Sequence, residues 1–352
     1  IHVLTMNRPK SLQRLLDSLE KADYAGDPVE LHIHIDKSIG NRGCIKVAES
    51  FDFSYGDVTI DVAEQNNGLR DAWFRAWRPQ DNERAIIFED DIEVSSQWYL
   101  WLKKAWDAYG ERDDLAGISL QRQTLVPQTP QKQMEIVNDH KPFLYRLVGS
   151  IGFSPHWKQW RAFLNWVDSV DTATVDVKTP GLVTSKWFDI LDRRHMWTQY
   201  FIWFCKRHGL FTLYMNLPDK KTMASHMREK GEHFARTEGR DFALATQVEM
   251  NLPTVLVKYG WDGRMVVSDT YKTDEIFDGK KFIYDHSDRF RKLTDAQKAN
   301  SLEGHTFNQD TSGKFTRMPQ LEAYANLVWK NRKSIRTVCE TGFNGGHSTV
   351  LW

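Results

Sequence analysis

The sequence predicts an α/β fold built on a mostly parallel, doubly wound sheet, and two observations carry this prediction. First, short apolar segments with a strand pattern alternate with segments in which apolar residues recur at helical spacing. Second, two of the strand segments end in acid, at Asp36 and at Glu89-Asp90-Asp91. Ligands of open α/β sheets bind beyond the carboxyl ends of the strands, so we expect these acids at the mouth of one cleft.

The amino-terminal region shows this alternation of predicted strands and helices. Residues 1–5 predict a strand, and the leucines of 12–19 fall at helical spacing behind an Asn-Arg-Pro turn. An alternating segment at 31–36 predicts the second strand, and 58–62 predicts the third. An Asn-Asn-Gly turn at 66–68 then leads into a helix that carries Ala72, Trp73, Ala76 and Trp77. The predicted order is strand, helix, strand, strand, helix and acidic strand.

The segment 84–94 places three consecutive carboxylates at the end of an apolar run. Ile86, Ile87 and Phe88 are typical of a short strand buried in a parallel sheet. Carboxylate oxygens are the ligands that Mg²⁺ and Mn²⁺ prefer, so the motif is compatible with a metal site. A solvated acidic turn that caps the following helix would give the same sequence, and the motif alone leaves both interpretations open.

Composition narrows the function classes. The 352 residues carry 47 Lys and Arg and 47 Asp and Glu, and a net charge of zero argues against a nucleic-acid or membrane partner bound through bulk charge. Cys44, Cys205 and Cys339 form neither a CxxC pair nor a zinc spacing, so no disulfide framework is predicted. No apolar run is long enough for a membrane segment. The sequence starts inside a strand without Met, and we expect it to be part of a longer protein.

The order of the motifs resembles a GT-A fold glycosyltransferase, and the Glu-Asp-Asp strand is similar to that of the N-acetylglucosaminyltransferase I group. The motifs are Thr-Met-Asn-Arg-Pro at 5–9, Asp36, the Asn-Asn-Gly turn at 66–68 and Phe-Glu-Asp-Asp-Ile-Glu-Val-Ser at 88–95. The resemblance implies a nucleotide-diphospho-sugar transferase fold over residues 1–270. It also implies metal-dependent transfer of a hexosyl or N-acetylhexosaminyl group from a nucleotide sugar to a hydroxyl of a glycan or another acceptor.

The resemblance further implies roles for individual residues. Asp91 and the late His226 would hold Mn²⁺ or Mg²⁺. Residues 213–234 predict a strand followed by a loop rich in cations, and this loop, which contains His226, would close over the diphosphate and stabilise its charge. The residues expected to bind the nucleotide sugar are Thr5, Asn7, Arg8, Asp36, Asn67, Glu89, Asp90, Lys221 and Arg228.

One position departs from the related transferases. In those enzymes an acidic pair shortly after a Pro-Gly-Leu segment supplies the general base, and Pro-Gly-Leu stands here at 180–182. The corresponding residues 196–200, Met-Trp-Thr-Gln-Tyr, contain no carboxylate. Asp189 and Asp192 are the nearest acids, so either one of them is the base or the stereochemistry differs. Both acids would equally suit a solvated helix face beside two arginines.

The carboxyl-terminal part predicts a second unit. Residues 271–320 are polar and charged and predict a linker. Residues 321–352 carry a helix pattern, a strand and a Gly-rich turn, which resemble the start of a class I S-adenosylmethionine (SAM)-dependent methyltransferase. Glu340, Gly342 and Gly345 would lie where the backbone approaches that cofactor. Because one strand and the start of one helix cannot form the whole site, we expect SAM binding only in a longer, bifunctional parent protein.

Two other functions are left open. A sugar-nucleotide nucleotidyltransferase uses the same combination of acid and metal, although no Gly-rich basic loop follows the first strand. A catalytically inactive carbohydrate-binding relative would account for the missing base. The Golgi or secretory lumen and the cytoplasm are both compatible with the sequence.

Overall fold

The computed structural model describes residues 1–127, 133–179, 181–182, 185–186, 188–189, 192–229, 236–248 and 252–266. These residues all belong to one compact unit, Ile1–Asp269. The predicted linker and the methyltransferase-like segment, with Glu340, Gly342 and Gly345, lie outside the described residues. Their assignments therefore stay predictions.

The described strands and helices alternate along the chain, as an α/β fold requires. The strands are β1 His2–Thr5, β2 Leu31–Ile35, β3 Val58–Val62, β4 Ile87–Glu89, β5 Ile92–Val94, β6 Leu115–Ser119, β7 Phe143–Tyr145, β8 Phe153–Pro155, β9 Phe211–Tyr214, β10 Ala224–Arg228, β11 Gly239–Arg240 and β12 Val257–Tyr259. The helices are α1 Pro9–Glu20, α2 Arg42–Ser50, α3 Gly68–Ala76, α4 Trp98–Tyr109, α5 Trp157–Asp168 and α6 Trp197–His208. Short 3-10 helices span Arg193–His195 and Pro218–Lys220.

Nine of the described strands form one large sheet in the order β12-β7-β9-β6-β8-β4-β1-β2-β3. Strand β1 pairs in parallel with β2 and β4, β2 with β3, β6 with β9, and β7 with β12. The antiparallel pairs are β4 with β8, β6 with β8, and β7 with β9. The predicted α/β fold with a mostly parallel sheet is confirmed.

The large sheet separates two apolar cores. One core contains the buried faces of α1, α2 and α4, and the other contains those of α3, α5 and α6. Leu12, Leu15, Leu16 and Leu19 of α1 are all fully buried, which is the face that their helical spacing predicts. Burial of leucine side chains contributes roughly 1.5–3 kcal/mol each, so this face fixes α1 against the sheet.

Helix α2 is a correction to the predicted order of elements. The sequence predicts two successive strands at 31–36 and 58–62, whereas the structure connects β2 to its parallel neighbour β3 through α2. Parallel neighbours need a crossover connection, because the chain must return to the same edge of the sheet. The apolar signal of α2 is weak, since its fully buried residues are Cys44 and Ala48.

A second correction concerns the late cation-rich segment, for which the sequence predicts a loop. Residues Ala224–Arg228 form β10, which joins β5 and β11 in a small antiparallel sheet. The register pairs His226 with Ile92, the residue that follows the acidic triplet. The position of His226 is therefore fixed by strand pairing. Among the described helices, none is long and apolar enough to cross a membrane.

Candidate functional site

A cavity of about 400 Å³ lies at the carboxyl ends of β1, β2 and β4, where the acidic residues were predicted to meet. Its lining comprises Leu4, Thr5, Met6, Asn7, Arg8, Asp36, Asn66, Gly68, Leu69, Ala72, Glu89, Asp90, Asp91, His195, His226 and Glu229. A larger cavity of about 700 Å³ lies at the amino ends of the same strands and lacks the acidic triplet. Parallel sheets bind ligands at the carboxyl ends of their strands, so the smaller cavity is the candidate site.

Asp90 is a buried carboxylate, 2% exposed, with partners far away in sequence. Its Oδ2 accepts a hydrogen bond of 2.6 Å from the hydroxyl of Thr5, and its Oδ1 accepts one from the guanidinium of Arg8. Burial raises the pKa of Asp90 to about 6, against the opposing effect of Arg8. The contacts join the end of β1 to the β4–β5 turn.

Asp91 lies between two cationic or potentially cationic groups. Its Oδ2 is 3.0 Å from Nη1 of Arg8 and 3.5 Å from Nε2 of His226. Burial opposes ionisation of Asp91, but the hydrogen bond from His226 and the charge of Arg8 outweigh it and lower the pKa. For His226, burial favours the neutral ring, but Asp91 outweighs it and raises the pKa. The structure therefore favours an ionised Asp91.

Asp91 and His226 together offer one oxygen and one nitrogen to a cation. The 3.5 Å between these atoms is less than twice a Mg²⁺–ligand distance of ~2.1 Å, so one ion can contact both. In the described part of the chain, no group of three or more His, Cys, Asp or Glu side chains is arranged to hold a metal. Two protein ligands nevertheless fit an ion that takes its remaining ligands from phosphate oxygens and water.

Glu89 has a different hydrogen-bond partner from Asp91. Its Oε1 accepts a hydrogen bond of 3.1 Å from the indole of Trp73, which stacks on Trp197 at 3.7 Å between ring centroids. Burial raises the pKa of Glu89, and the nearby charge of Asp91 raises it further. The Trp pair thus connects the acidic triplet to the start of α6.

Asp36 holds a turn at the edge of the cavity. Its carboxylate accepts hydrogen bonds from the backbone N–H groups of Asn67 at 2.9 Å and Gly68 at 3.0 Å. Gly68 adopts a φ of +76°, which favours glycine. The side chain of Asn67, predicted to bind the nucleotide sugar, instead contacts Asp36 and Arg75. Its neighbour Asn66 lines the cavity in its place.

Lys221 and Arg228, which were also predicted to bind the nucleotide sugar, lie away from the lining as well. Lys221 pairs with Asp219 at 3.4 Å, and Arg228 pairs with Glu238 at 3.1 Å. In this structure both cations pair with acids of nearby loops and do not line the cavity. The geometry gives no support to their predicted contact with the diphosphate. Lys230, from the same segment, is outside the described residues.

The two proposed general bases are exposed and paired with cations. Asp189 lies 3.2 Å from Lys178, and Asp192 lies 2.8 Å from Arg194. The hydrogen bonds from Arg194 lower the pKa of Asp192 to about 2, which makes it a weak base. Neither carboxylate reaches the cavity. Their assignment as the base is not supported by this geometry.

The sequence prediction missed several lining residues, of which His195 and Glu229 carry titratable side chains. Glu229 accepts hydrogen bonds from Ser11 and Arg14 and so joins the end of β10 to α1. His195 follows Arg193 and Arg194, the two arginines beside the acids for which a solvated helix face was the alternative interpretation. The one sequence feature that could have indicated a role for His195 is its position next to residues 196–200, where the related enzymes have acids.

Comparison with known proteins gives one family match and several distant structural similarities. The family model described as "SPBC1E8.03c C-terminal domain" matches residues 10–169, which include the acidic triplet but neither Arg8 nor His226. No curated protein is significantly similar to the sequence. The chain is similar in structure to TarS 1-349 of S. aureus, at 14% identity and a TM-score of 0.37, over 63% of this chain and 58% of that chain.

Two further structures show the same level of similarity. A mannosyltransferase of Pyrobaculum calidifontis, solved with GDP-Man and Mn²⁺, is 12% identical with a TM-score of 0.38, over 63% of this chain and 55% of that chain. Mouse xyloside xylosyltransferase 1 is 13% identical with a TM-score of 0.34, over 61% of this chain and 84% of that chain. TarS and the mannosyltransferase are thus matched over less than two thirds of their lengths. None of the three is an N-acetylglucosaminyltransferase I or a methyltransferase, so both resemblances stay predictions.

Proposed function

We propose that residues 1–270 form a glycosyltransferase that moves a sugar from a nucleotide diphosphate sugar to an acceptor hydroxyl. The observation that carries the proposal is the meeting of Thr5, Arg8, Asp90, Asp91 and His226 in one cavity at the carboxyl ends of the central strands. These residues come from three separate segments, which the pairing of β1, β4, β5 and β10 brings together. The sequence motifs that resemble GT-A transferases contain four of the five.

The charge of the cavity argues that a divalent metal accompanies the donor. Arg8 is the one Lys or Arg among the described lining residues. The acids of the lining are Asp36, Glu89, Asp90, Asp91 and Glu229. The ionised carboxylates among them, including Asp91, would repel a diphosphate unless a multivalent cation reversed the local charge. Asp91 and His226 would hold that cation, which would neutralise the charge on the departing diphosphate.

The remaining lining residues offer both polar and apolar contacts to the rest of the donor. Asp90 keeps acceptor capacity beyond its contacts with Thr5 and Arg8, and suits a ribose hydroxyl. Leu69 and Ala72 of α3 form an apolar wall beside the turn that Asp36 holds. Such a wall with a few convergent polar groups is typical of a small-ligand site.

A screen of nucleotide sugars by thermal shift, with Mn²⁺ and with EDTA, tests the proposal. We expect at least one UDP- or GDP-sugar to raise the melting temperature with Mn²⁺ and to lose that effect in EDTA. Ligand at 100 times its dissociation constant stabilises a protein by about 2.7 kcal/mol, which gives a measurable shift.

Product analysis separates the alternatives. Release of a nucleoside diphosphate from the bound donor supports transfer, whereas release of pyrophosphate from a nucleoside triphosphate would identify a nucleotidyltransferase. Binding without any turnover would identify an inactive carbohydrate-binding relative. A protein that binds no nucleotide sugar with Mn²⁺ would contradict the proposal itself.

A further inference from the structure

His195 lines the described cavity and immediately precedes residues 196–200, where the expected acid is missing. We propose that His195 is the general base that accepts the proton of the acceptor hydroxyl, an inference that rests on the proposed transferase function. His195 lines the same cavity as Asp91 and His226 but comes from a different part of the chain, immediately before α6.

The local structure holds His195 at the rim of the cavity. His195 is the last residue of the 3-10 helix Arg193–His195, and its N–H donates to the carbonyl of Asp192 at 3.0 Å. The carboxylate of Asp192 accepts a hydrogen bond of 2.9 Å from the N–H of Arg194 and so caps this helix. The acid that the sequence offered as a base thus positions the residue that we assign to that role.

Two contacts fix the 3-10 helix against the rest of the site. A Cβ on Gly68 would lie 3.0 Å from Cβ of Arg194, so the glycine permits the close approach of the two segments. Immediately after the helix, Trp197 stacks on Trp73, which donates to Glu89 of the acidic triplet. The imidazole and the triplet therefore belong to one packed arrangement.

His195 is exposed at the rim, where an acceptor arriving from solution would first meet the protein. An imidazole also has an intrinsic basicity suited to proton transfer near neutral pH.

The step that this geometry supports is a single displacement. The acceptor oxygen forms a bond to the anomeric carbon, while the bond from that carbon to the diphosphate oxygen breaks. The hydroxyl proton passes to the imidazole of His195, and the bonding electron pair leaves with the diphosphate. Attack from the face opposite the leaving group inverts the anomeric configuration.

Charged neighbours bear on any pH measurement of this residue. On its own segment His195 follows Asp192, Arg193 and Arg194, and the segment packs against Arg70 and Asp71 of α3. The other charged or titratable groups that line the cavity are Arg8, Asp36, Glu89, Asp90, Asp91, His226 and Glu229.

The test uses two variants of equal shape and a matched control. With a UDP- or GDP-sugar shown by thermal shift to bind with Mn²⁺, we would measure nucleoside diphosphate release, with water as the acceptor, between pH 4.5 and 9. His195→Asn removes the base. His195→Asp introduces a carboxylate whose side chain has the same size as that of the asparagine variant. His140→Asn changes an exposed histidine whose φ of 56° asparagine also tolerates, and it lies outside the cavity.

We expect His195→Asn to release nucleoside diphosphate ~10²–10⁴-fold more slowly than the wild type, with unchanged donor binding. His195→Asp should recover part of the rate, and the acidic limb of its pH profile should move to lower pH, because a carboxyl titrates below an imidazole. His140→Asn should match the wild type. The released sugar, followed by proton NMR, should first appear with inverted configuration.

Three results would overturn the assignment while leaving the transferase proposal intact. They are a wild-type rate in His195→Asn, an acidic limb in His195→Asp that coincides with that of the wild type, and a product of retained configuration. A donor that binds but is not cleaved at any pH would contradict both the base and the transfer. Failure of any donor to bind with Mn²⁺ would contradict the proposed function first.

Discussion

The two walls of the cavity differ in how the chain builds them. On one wall, Thr5, Arg8, Asp90 and Asp91 are joined by hydrogen bonds that span more than 80 residues of sequence, and Asp90 is almost fully buried. On the other wall, His195 stands on a 3-10 helix of three residues whose cap and ion pair come from Asp192 next to it. Paired strands fix the first wall, whereas local contacts fix the second.

This difference explains which residues the sequence could predict. The end of a strand is readable from its apolar pattern, and parallel pairing then places Thr5, Asp36 and Asp91 at one edge of the sheet. No comparable pattern marks a three-residue helix, so the second wall could be judged only from the position of acids.

The largest effect is expected at Asp91. Asp91→Asn keeps the shape of the side chain but removes the charge that would hold a metal, so Mn²⁺-dependent release of nucleoside diphosphate should fall by at least ~100-fold. The melting temperature without ligand should stay close to that of the wild type. Glu93→Gln is the matched control, because Glu93 follows the same motif but pairs with Arg240 outside the cavity. An active Asp91→Asn enzyme would show that the charge of Asp91 is not needed for the reaction and would contradict its role as a metal ligand.

The next effect concerns the other predicted metal ligand. His226→Ala should weaken Mn²⁺ binding, measured by calorimetry in the presence of a nucleoside diphosphate, by ~10–100-fold, because one of two protein ligands is lost. The strand pairing of β10 with β5 runs through the backbone and should survive the change. Unchanged Mn²⁺ affinity would show that His226 forms an ion pair with Asp91 but does not bind the metal.

Arg8 contacts the same carboxylate as His226, but its substitution should have the opposite effect on the affinity for Mn²⁺. Its guanidinium lies 3.0 Å from Asp91 Oδ2 and would repel a divalent ion bound there. Arg8→Gln should therefore bind Mn²⁺ alone several-fold more tightly than the wild type, and bind a nucleoside diphosphate several-fold more weakly. Equal losses of both affinities would show that Arg8 mainly supports the fold of the β4–β5 turn.

The sequence predicted the central fold and most of the first wall, and the reasons for its failures are physical. It missed α2 because that helix buries few apolar residues. It predicted a loop at Ala224–Arg228 because a short, half-buried strand rich in polar residues has little strand signal. It could not predict that Lys221 and Arg228 pair with Asp219 and Glu238, because such ion pairs depend on loop geometry, which no spacing rule encodes.

The smallest effect is expected at Asp192, and it distinguishes between His195 and Asp192 as the general base. Asparagine is as good a helix cap as aspartate, so Asp192→Asn should change the rate of nucleoside diphosphate release by less than ~3-fold. Asp192→Ala loses the cap and should lower the rate more, because His195 is then held less firmly. A loss of ~100-fold or more in Asp192→Asn would instead make Asp192 itself the base.

The central claim is that Asp91 and His226 hold a metal together with the donor. Crystals grown with Mn²⁺ and a nucleoside diphosphate, measured at the manganese absorption edge, test it directly. The account predicts one anomalous peak within ~2.3 Å of both Asp91 Oδ2 and His226 Nε2, adjacent to phosphate density. A nucleotide bound in this cavity with no manganese peak, or with a peak that touches neither side chain, would contradict it.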